Sequence, residues 1–293
     1  MKCPLLILSL AAACVLPSMT SAQAKPTEVY VSVLDNKGEP ALGLTAADFR
    51  VREDGTAREV LKAAPATEPL TVAFLVDDSQ AASAGIQMIR EGVESFIKGL
   101  AGKAEVTLVT FGERPTIAVE YTTDQKKLLD GAHRIFPRSG SGAYLMDAIV
   151  EVSKGLQKRK AARPVIAILT LDNNVEFSNR HYENVLGELD KSGAALHVVA
   201  LGQPSSKLND EMRNRNQVVA LGTERTGGRR DNVLALTAAG PRMAQLAAEL
   251  VNQYVVTYSR PETLIPPEKI AVTVTKPGLT ARARTHTGQV GAR

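Results

Sequence analysis

The sequence predicts an α/β fold, a doubly wound and mostly parallel sheet, carried on a small β domain built from the strands that flank it. Three observations carry that expectation. Four near-continuous apolar runs, at 70–76, 106–111, 165–171 and 194–201, have the length and composition of strands buried on both faces. Segments with apolar residues at helical spacing separate them. Near both ends of the chain the pattern changes to the short alternation of half-exposed strands.

Composition removes several classes of function. The 293 residues are 44% hydrophobic and 23% charged, which suits a globular chain. A net charge of +4 is too small for a nucleic-acid footprint, and with no Trp, six Tyr and six Phe there are few platforms for stacking bases. Nucleic acid is therefore not an expected partner. Cys3 and Cys14 are the only cysteines, so the rest of the chain offers no disulfide, thiol nucleophile or cysteine metal site.

Residues 1–24 read as a signal peptide: Lys2 is a positive start, Pro4 to Leu16 is mostly apolar, and Ala22-Gln23-Ala24 ends in the small-x-small pattern of a cleavage site. The expected product is exported, periplasmic or secreted. Cys14 after three alanines leaves lipoprotein anchoring as the minor alternative. No other apolar run reaches the length of a membrane span, about 20 residues.

An N-terminal β segment is expected over 25–66. Residues 28–34 alternate as a strand, Asp35 to Gly38 form a turn, and Leu44 to Phe49 make one helical turn capped by Thr45. Phe49–Arg52 and Arg58–Leu61 read as strands around Glu53-Asp54-Gly55, with a linker at 63–69. The α/β block follows over 69–260. It opens on the 70–76 strand and a helix with Ile86, Ile89, Val93, Phe96, Ile97 and Leu100 on one stripe. Strands at 106–111 and 117–121 precede a second helix marked by Leu145, Ile149, Val152 and Leu156. Lys158-Arg159-Lys160 close it as a solvated C-terminus, where cations suit the helix dipole. After the 165–171 strand come a polar helix at 181–191 and the 194–201 strand. Residues 207–225 are polar and basic, 242–250 are helical, and 253–258 form a last strand of the block. The C-terminal segment 261–293 returns to β character at 270–275 and 279–285, and these strands are expected to pair with 28–61.

Open α/β sheets bind ligands at the carboxyl ends of their strands. Here those ends carry Asp77-Asp78-Ser79 and Asp172-Asn173-Asn174, beside the loop Ser139-Gly140-Ser141-Gly142. Carboxylate, hydroxyl and amide oxygens on one edge suit a hard cation such as Mg²⁺.

The order LVDDSQA, SGSGAYLMDAI, AILTLDNN resembles a von Willebrand factor type A (vWA) domain, a Rossmann-like fold. The flanks VYVSVLDNKGEPALGLTAADFRVREDG, QYVVTYSRP and IAVTVTKPGLTARART resemble the exported VWFA-related proteins first grouped from acidobacteria, so the likeness spans roughly residues 27–288. The resemblance implies a metal-ion-dependent adhesion site built from DxSxS, a Thr and an Asp on three loops. Asp77 and Ser79 match its first two ligands, but the second Ser falls on Ala81 and the Thr on Ala143. The third-loop Asp is either replaced by Leu171 or displaced to Asp172. A methyl group cannot coordinate Mg²⁺, so the expectation is a degenerate site without a resident metal or other cofactor. Asp77 and Ser79 would then cap the following helix and satisfy loop amides. The implied function is non-enzymatic: recognition of another protein, in adhesion or envelope assembly, through a loop face that includes Asp77, Ser79 and Asp172.

Two other readings compete. Asp77-Asp78 also resembles the acidic pair of a receiver domain, with Asp172 as phosphoacceptor, although the interval to Asp172 is long for so compact a domain. An exported hydrolase lacks a credible nucleophile–base pair: Ser79 has no G-x-S-x-G context, and the glycine-rich 139–142 loop lacks the Lys of a phosphate-binding loop. His133, His181, His197 and His286 show no metal-ligand spacing, and His197, inside an apolar run, reads as a core residue. Export makes a direct prediction. N-terminal sequencing of the protein from its native host should begin at Lys25, and an intact Met1 would contradict it.

Overall fold

The computed structural model describes residues 24–100, 102–205, 208–262 and 265–286. The expected signal peptide, Cys3 and Cys14 lie outside them, except that Ala24 begins the first strand.

The α/β block is built around a six-stranded sheet. Its strands are β5 (Leu70–Val76), β6 (Ala104–Thr110), β7 (Thr116–Thr122), β8 (Arg163–Leu171), β9 (Ala195–Leu201) and β10 (Arg230–Val233). They lie in the order β10-β9-β8-β5-β6-β7, all parallel except β7. Every residue of central β5 is buried, which is why its sequence is an almost unbroken apolar run instead of an alternation. Val72, Phe74 and Val76 face one side of the sheet with α1 (Ile86–Leu100), α2 (Gln125–His133) and α6 (Ala239–Val251). Ala73 and Leu75 face the other with α3 (Leu145–Arg159), α4 (Tyr182–Ser192) and α5 (Asp210–Thr226). The doubly wound expectation is met. Arg159, in the basic run that closes α3, pairs with Glu105 at 2.6 Å, as a solvated helix end should.

The flanking strands form two small antiparallel sheets packed face to face. Strands β1 (Ala24–Leu34), β4 (Val60–Pro65), β11 (Tyr254–Pro261) and β13 (Thr280–Ala283) lie in the order β13-β1-β11-β4. Strands β2 (Phe49–Glu53), β3 (Thr56–Arg58) and β12 (Ile270–Val274) make the order β12-β2-β3. Between the sheets Val31, Phe49, Val51, Val256, Tyr258 and Val272 share one core. Glu53 is buried there but not stranded: Tyr258 donates to it at 2.8 Å and Arg58 pairs with it at 2.9 Å.

Several sequence expectations need correction. Residues 58–61 are not one strand. The Asp54-Gly55 turn, with both φ positive, folds β3 back on β2, and after Glu59 the chain enters a different sheet as β4. Residues 63–65 are therefore strand and not linker, paired with Tyr254 to Val256. Strand β11, assigned above to the α/β block, is instead central to the four-stranded sheet, between β1 and β4. The polar stretch at 207–225 contains α5, whose N-cap Asn209 accepts from the Met212 amide at 2.9 Å. Helix α2, with Asp124 as its cap, and the short edge strand β10 are structural findings without a matching expectation. Residues 46–48 do form the expected single turn, closed by a capping box between Thr45 and Asp48.

Polar rivets join the two parts. Arg163, at the start of β8, donates to Glu68 O at 2.8 Å, Leu250 O at 3.0 Å and Gln253 Oε1 at 2.9 Å, and Gln253 passes a bond to Ser32 on β1. Glu249 on α6 accepts from Arg282 of β13 at 3.0 Å. A chain ended at Arg260 loses β12 and β13 together with that ion pair, leaving β1 and β2 as unpaired edges. Its melting temperature should fall by more than about 10 °C against the full chain by circular dichroism. Equal melting would mean that the two end strands add nothing to stability.

Candidate functional site

The carboxyl ends of β5, β6 and β8 meet at one edge of the sheet, and Asp77 lies at its centre, fully buried. Its Oδ1 accepts from the Ser79 amide at 3.0 Å. Its Oδ2 accepts from Thr170 Oγ1 at 3.0 Å, the Leu171 amide at 3.1 Å and Asn174 Nδ2 at 2.8 Å. Hydrogen bonds to a charged acceptor contribute roughly 1.5–3 kcal/mol each. Four of them offset the cost of burying a carboxylate, which is several kcal/mol. Asp77 thus needs no cation to be stable where it is.

The adjacent acid is equally engaged. Asp78 accepts from the Gly112 amide at 2.6 Å and from Arg138 Nε at 2.8 Å. A side chain at Gly112 would collide with Ser79 N and Asp78 itself, so only glycine permits this approach. Asp77 and Asp78 therefore do not form the open acidic pair of a receiver domain.

Ser79 departs from its expected role. Its backbone precedes a turn at Gln80–Ala84, but its side chain makes no cap bond, and its buried Oγ has no hydrogen-bond partner. The capping expectation fails for Ser79, while Asp77 does satisfy loop amides. A hydroxyl without a base in reach is also not an activated nucleophile.

Asp172 points to a different partner. Its Oδ1 lies 3.5 Å from Arg215 of α5, and both groups are buried. The same guanidinium donates to Asp172 O at 3.2 Å and Asn174 O at 3.3 Å. Asp77 and Asp172 are thus held by separate partners. Among the described residues, no group of three or more His, Cys, Asp or Glu is placed to hold a metal ion. Ala143, fully buried, contributes only backbone to the site: its amide donates to Val175 O and its carbonyl accepts from Phe177 N, each at 2.7 Å. The donor set does not fit an octahedral Mg²⁺, whose ligands should be oxygens free of competing N–H donors.

Asp77, Ser79 and Asp172 all lie beneath the surface. The surface above β8 belongs to a segment in which burial alternates: Asn173, Val175, Phe177 and Asn179 are exposed while Asn174, Glu176 and Ser178 are buried. Over 174–178 the polar side chains point inward and the apolar ones outward. Phe177, 49% exposed, meets the Tyr144 ring edge-on at 6.1 Å. Inside, Ser178 Oγ accepts from the Asp147 amide in the first turn of α3 at 3.1 Å. Glu176 accepts from Ser178 N at 3.1 Å, and its second oxygen has no partner. Burial pushes its carboxyl up to about 7, with Ser178 and Arg215 opposing the shift. Sequence reasoning placed Asn174 on this edge only as an oxygen donor, and it missed Glu176 and Arg215. The period-two alternation from 174 to 178 was the available signal for Glu176, while no local pattern pointed to Arg215. His197 is a core residue, as expected: burial drives its imidazole down to about 4.

Residues 72–174 match the family model described as the von Willebrand factor type A domain. This part of the chain is therefore a vWA domain, as the motif order suggested. Among solved structures, the von Willebrand factor type A protein from Catenulispora acidiphila is similar over 91% of this chain and 72% of its own, with TM-score 0.50 and 9% identity. Human COPII-coat protein Sec24c matches 75% of this chain at 10% identity and TM-score 0.49, and this chain spans 44% of its length. The vWF domain of the type V pili tip protein Mfa5 from Porphyromonas gingivalis matches 61% of this chain and 95% of its own, at 12% identity and TM-score 0.45. No curated protein matches the sequence.

The two shifted groups make opposed contributions to pH-dependent stability. Glu176 holds its proton in the folded state up to about 7 while the unfolded carboxyl releases it near 4.5, so its contribution falls as pH rises through that window. His197 stays neutral when folded down to about 4, against 6.5 unfolded, so its contribution is lost as pH falls from 6.5 to 4. Glu176→Gln should leave the His197 slope uncovered. Chemical denaturation should then show the variant gaining stability with pH between about 4.5 and 6.5 more steeply than the parent. Parallel profiles would contradict this.

Proposed function

We propose that this is an exported, non-enzymatic protein-binding module of the VWFA-related type, periplasmic or secreted, which takes a partner protein on its loop face without a metal ion. vWA domains are typically interaction modules rather than enzymes, and among the described residues no helix is long and apolar enough to cross a membrane. The observation that carries the reading is the reversed polarity of 174–178. Exposed apolar and buried polar side chains are the informative exceptions on a protein surface, and here they alternate in one segment. Val175 and Phe177 supply the contact, and the buried Asp77, Ser79 and Asp172 shape the loops that present it. The absence of free hydroxyls at positions 81 and 143 supports metal independence.

Crosslinked capture from native envelope material tests this. Val175→Ser with Phe177→Ser should reduce partner recovery at least about tenfold. Because both sites are exposed, the melting temperature should move by less than about 2 °C. Ile117→Ser, at an exposed position on edge strand β7, serves as the control and should capture normally. A chelator should leave recovery unchanged. Full capture by the double variant would remove the loop face from the proposal, and loss of capture in chelator would remove metal independence.

A further inference from the structure

We infer that Asn174 and Arg215 together stand in for the divalent cation, holding the loop face permanently in the arrangement that an ion would otherwise impose. This rests on the metal-independent part of the proposed function and adds a mechanism to it.

A cation in such a site has two tasks. It ties the loops at the ends of two strands together, and it neutralises the buried oxygens there. Asn174 performs the first at Asp77: its Nδ2 donates at 2.8 Å to the oxygen that already receives Thr170 and Leu171. One amide of the β8 loop therefore bridges to the β5 loop, and both partners are buried. Arg215 performs the second. Its guanidinium, fixed on α5 and only 4% exposed, gathers two carbonyls and the Asp172 carboxylate of the β8 loop. Asn174 joins the two halves, because its side chain binds Asp77 while its carbonyl accepts from Arg215.

The unpartnered Ser79 Oγ is a second, independent sign. It is a fully buried hydroxyl in the same loop, with no donor or acceptor role. Such an atom makes sense as an oxygen ligand left behind when side chains took over the work of the ion. The substitution also has a directional consequence. Removing the Asn174 amide takes one of three donors from Asp77 Oδ2, and replacing it by a carboxylate places two acids together beside an idle hydroxyl, which a divalent cation would relieve.

The experiment compares the full chain with Asn174→Asp, Asn174→Ala and Asn252→Ala, by thermal melting in chelator and in Mg²⁺, and by the electron paramagnetic resonance of Mn²⁺. The parent should melt identically in both conditions and leave Mn²⁺ free. Asn174→Asp should melt lower in chelator and recover by about 5 °C or more at millimolar Mg²⁺, since an ion that binds only the folded state stabilises it by mass action. Recovery of folded protein only when Mg²⁺ is present would be the same result in stronger form. Asn174→Ala adds no charge and should melt about 3–6 °C lower, reporting the lost donor. Asn252→Ala loses an amide bond to Ala248 O in another part of the chain and should acquire no cation dependence. Saturable Mn²⁺ binding by the parent would overturn both the inference and metal independence. A parent without binding, beside Asn174 variants that neither lose stability in chelator nor respond to cation, would overturn the inference alone.

Discussion

The buried Asp77 carboxylate is the constraint around which the upper edge of the molecule is arranged. A charge without solvent must be surrounded by donors, and here they come from its own loop, from the end of β8 and from the following turn. Those donors fix where β8 ends and how its loop departs. Once the loop is fixed, its next residues lie beside Ala143 as a short parallel bridge, and Ser178 reaches the first turn of α3. One desolvated charge thus sets the path of the chain from the central strand to the neighbouring helix.

The second organising element lies at the opposite edge of the sheet. Arg163 begins β8 just as Thr170 and Leu171 end it, so one strand is anchored by polar groups at both extremities. At its lower end the guanidinium binds the Leu250 carbonyl at the end of helix α6 and the side-chain oxygen of Gln253 in the junction before strand β11. Only two residues separate α6 from β11. The β part is therefore joined stiffly to the helical layer and cannot swing on a linker. The exposed apolar residues Val175 and Phe177 lie on the loops, while the scaffold beneath them is tied at both ends.

Much of the fold was legible because it depends on periodicity. Strands such as 70–76 declare themselves by being apolar at nearly every position, and α1 by its stripe from Ile86 to Leu100. What stayed hidden depends on contacts between distant residues. Nothing local in YVVTYSRP says that β11 leaves the parallel sheet, because an alternating strand fits either environment. Helix α5 was obscured by a polar surface, its few buried residues being spread among arginines and asparagines. The site followed the same division. Asp77, Ser79 and Asp172 were visible at the strand ends, and the resemblance to vWA domains marked Ala81 and Ala143 as places where oxygens are missing. The partners that satisfy those acids were not visible, because Arg215 reaches Asp172 across 43 residues and an asparagine in a loop looks like any turn former.

The placement of β1 has a consequence for how the molecule comes into being. Its partners are residues 254–261 on one side and 280–283 on the other, more than two hundred positions away. The intervening block carries two hydrophobic cores of its own, drawn almost wholly from residues 70–251, and local βαβ contacts can assemble them early. The first strand has no such opportunity and must wait until the last thirty or so residues of the described chain exist. Folding is therefore ordered in time: a central body condenses first, and the two ends of the chain close over its base as the final event.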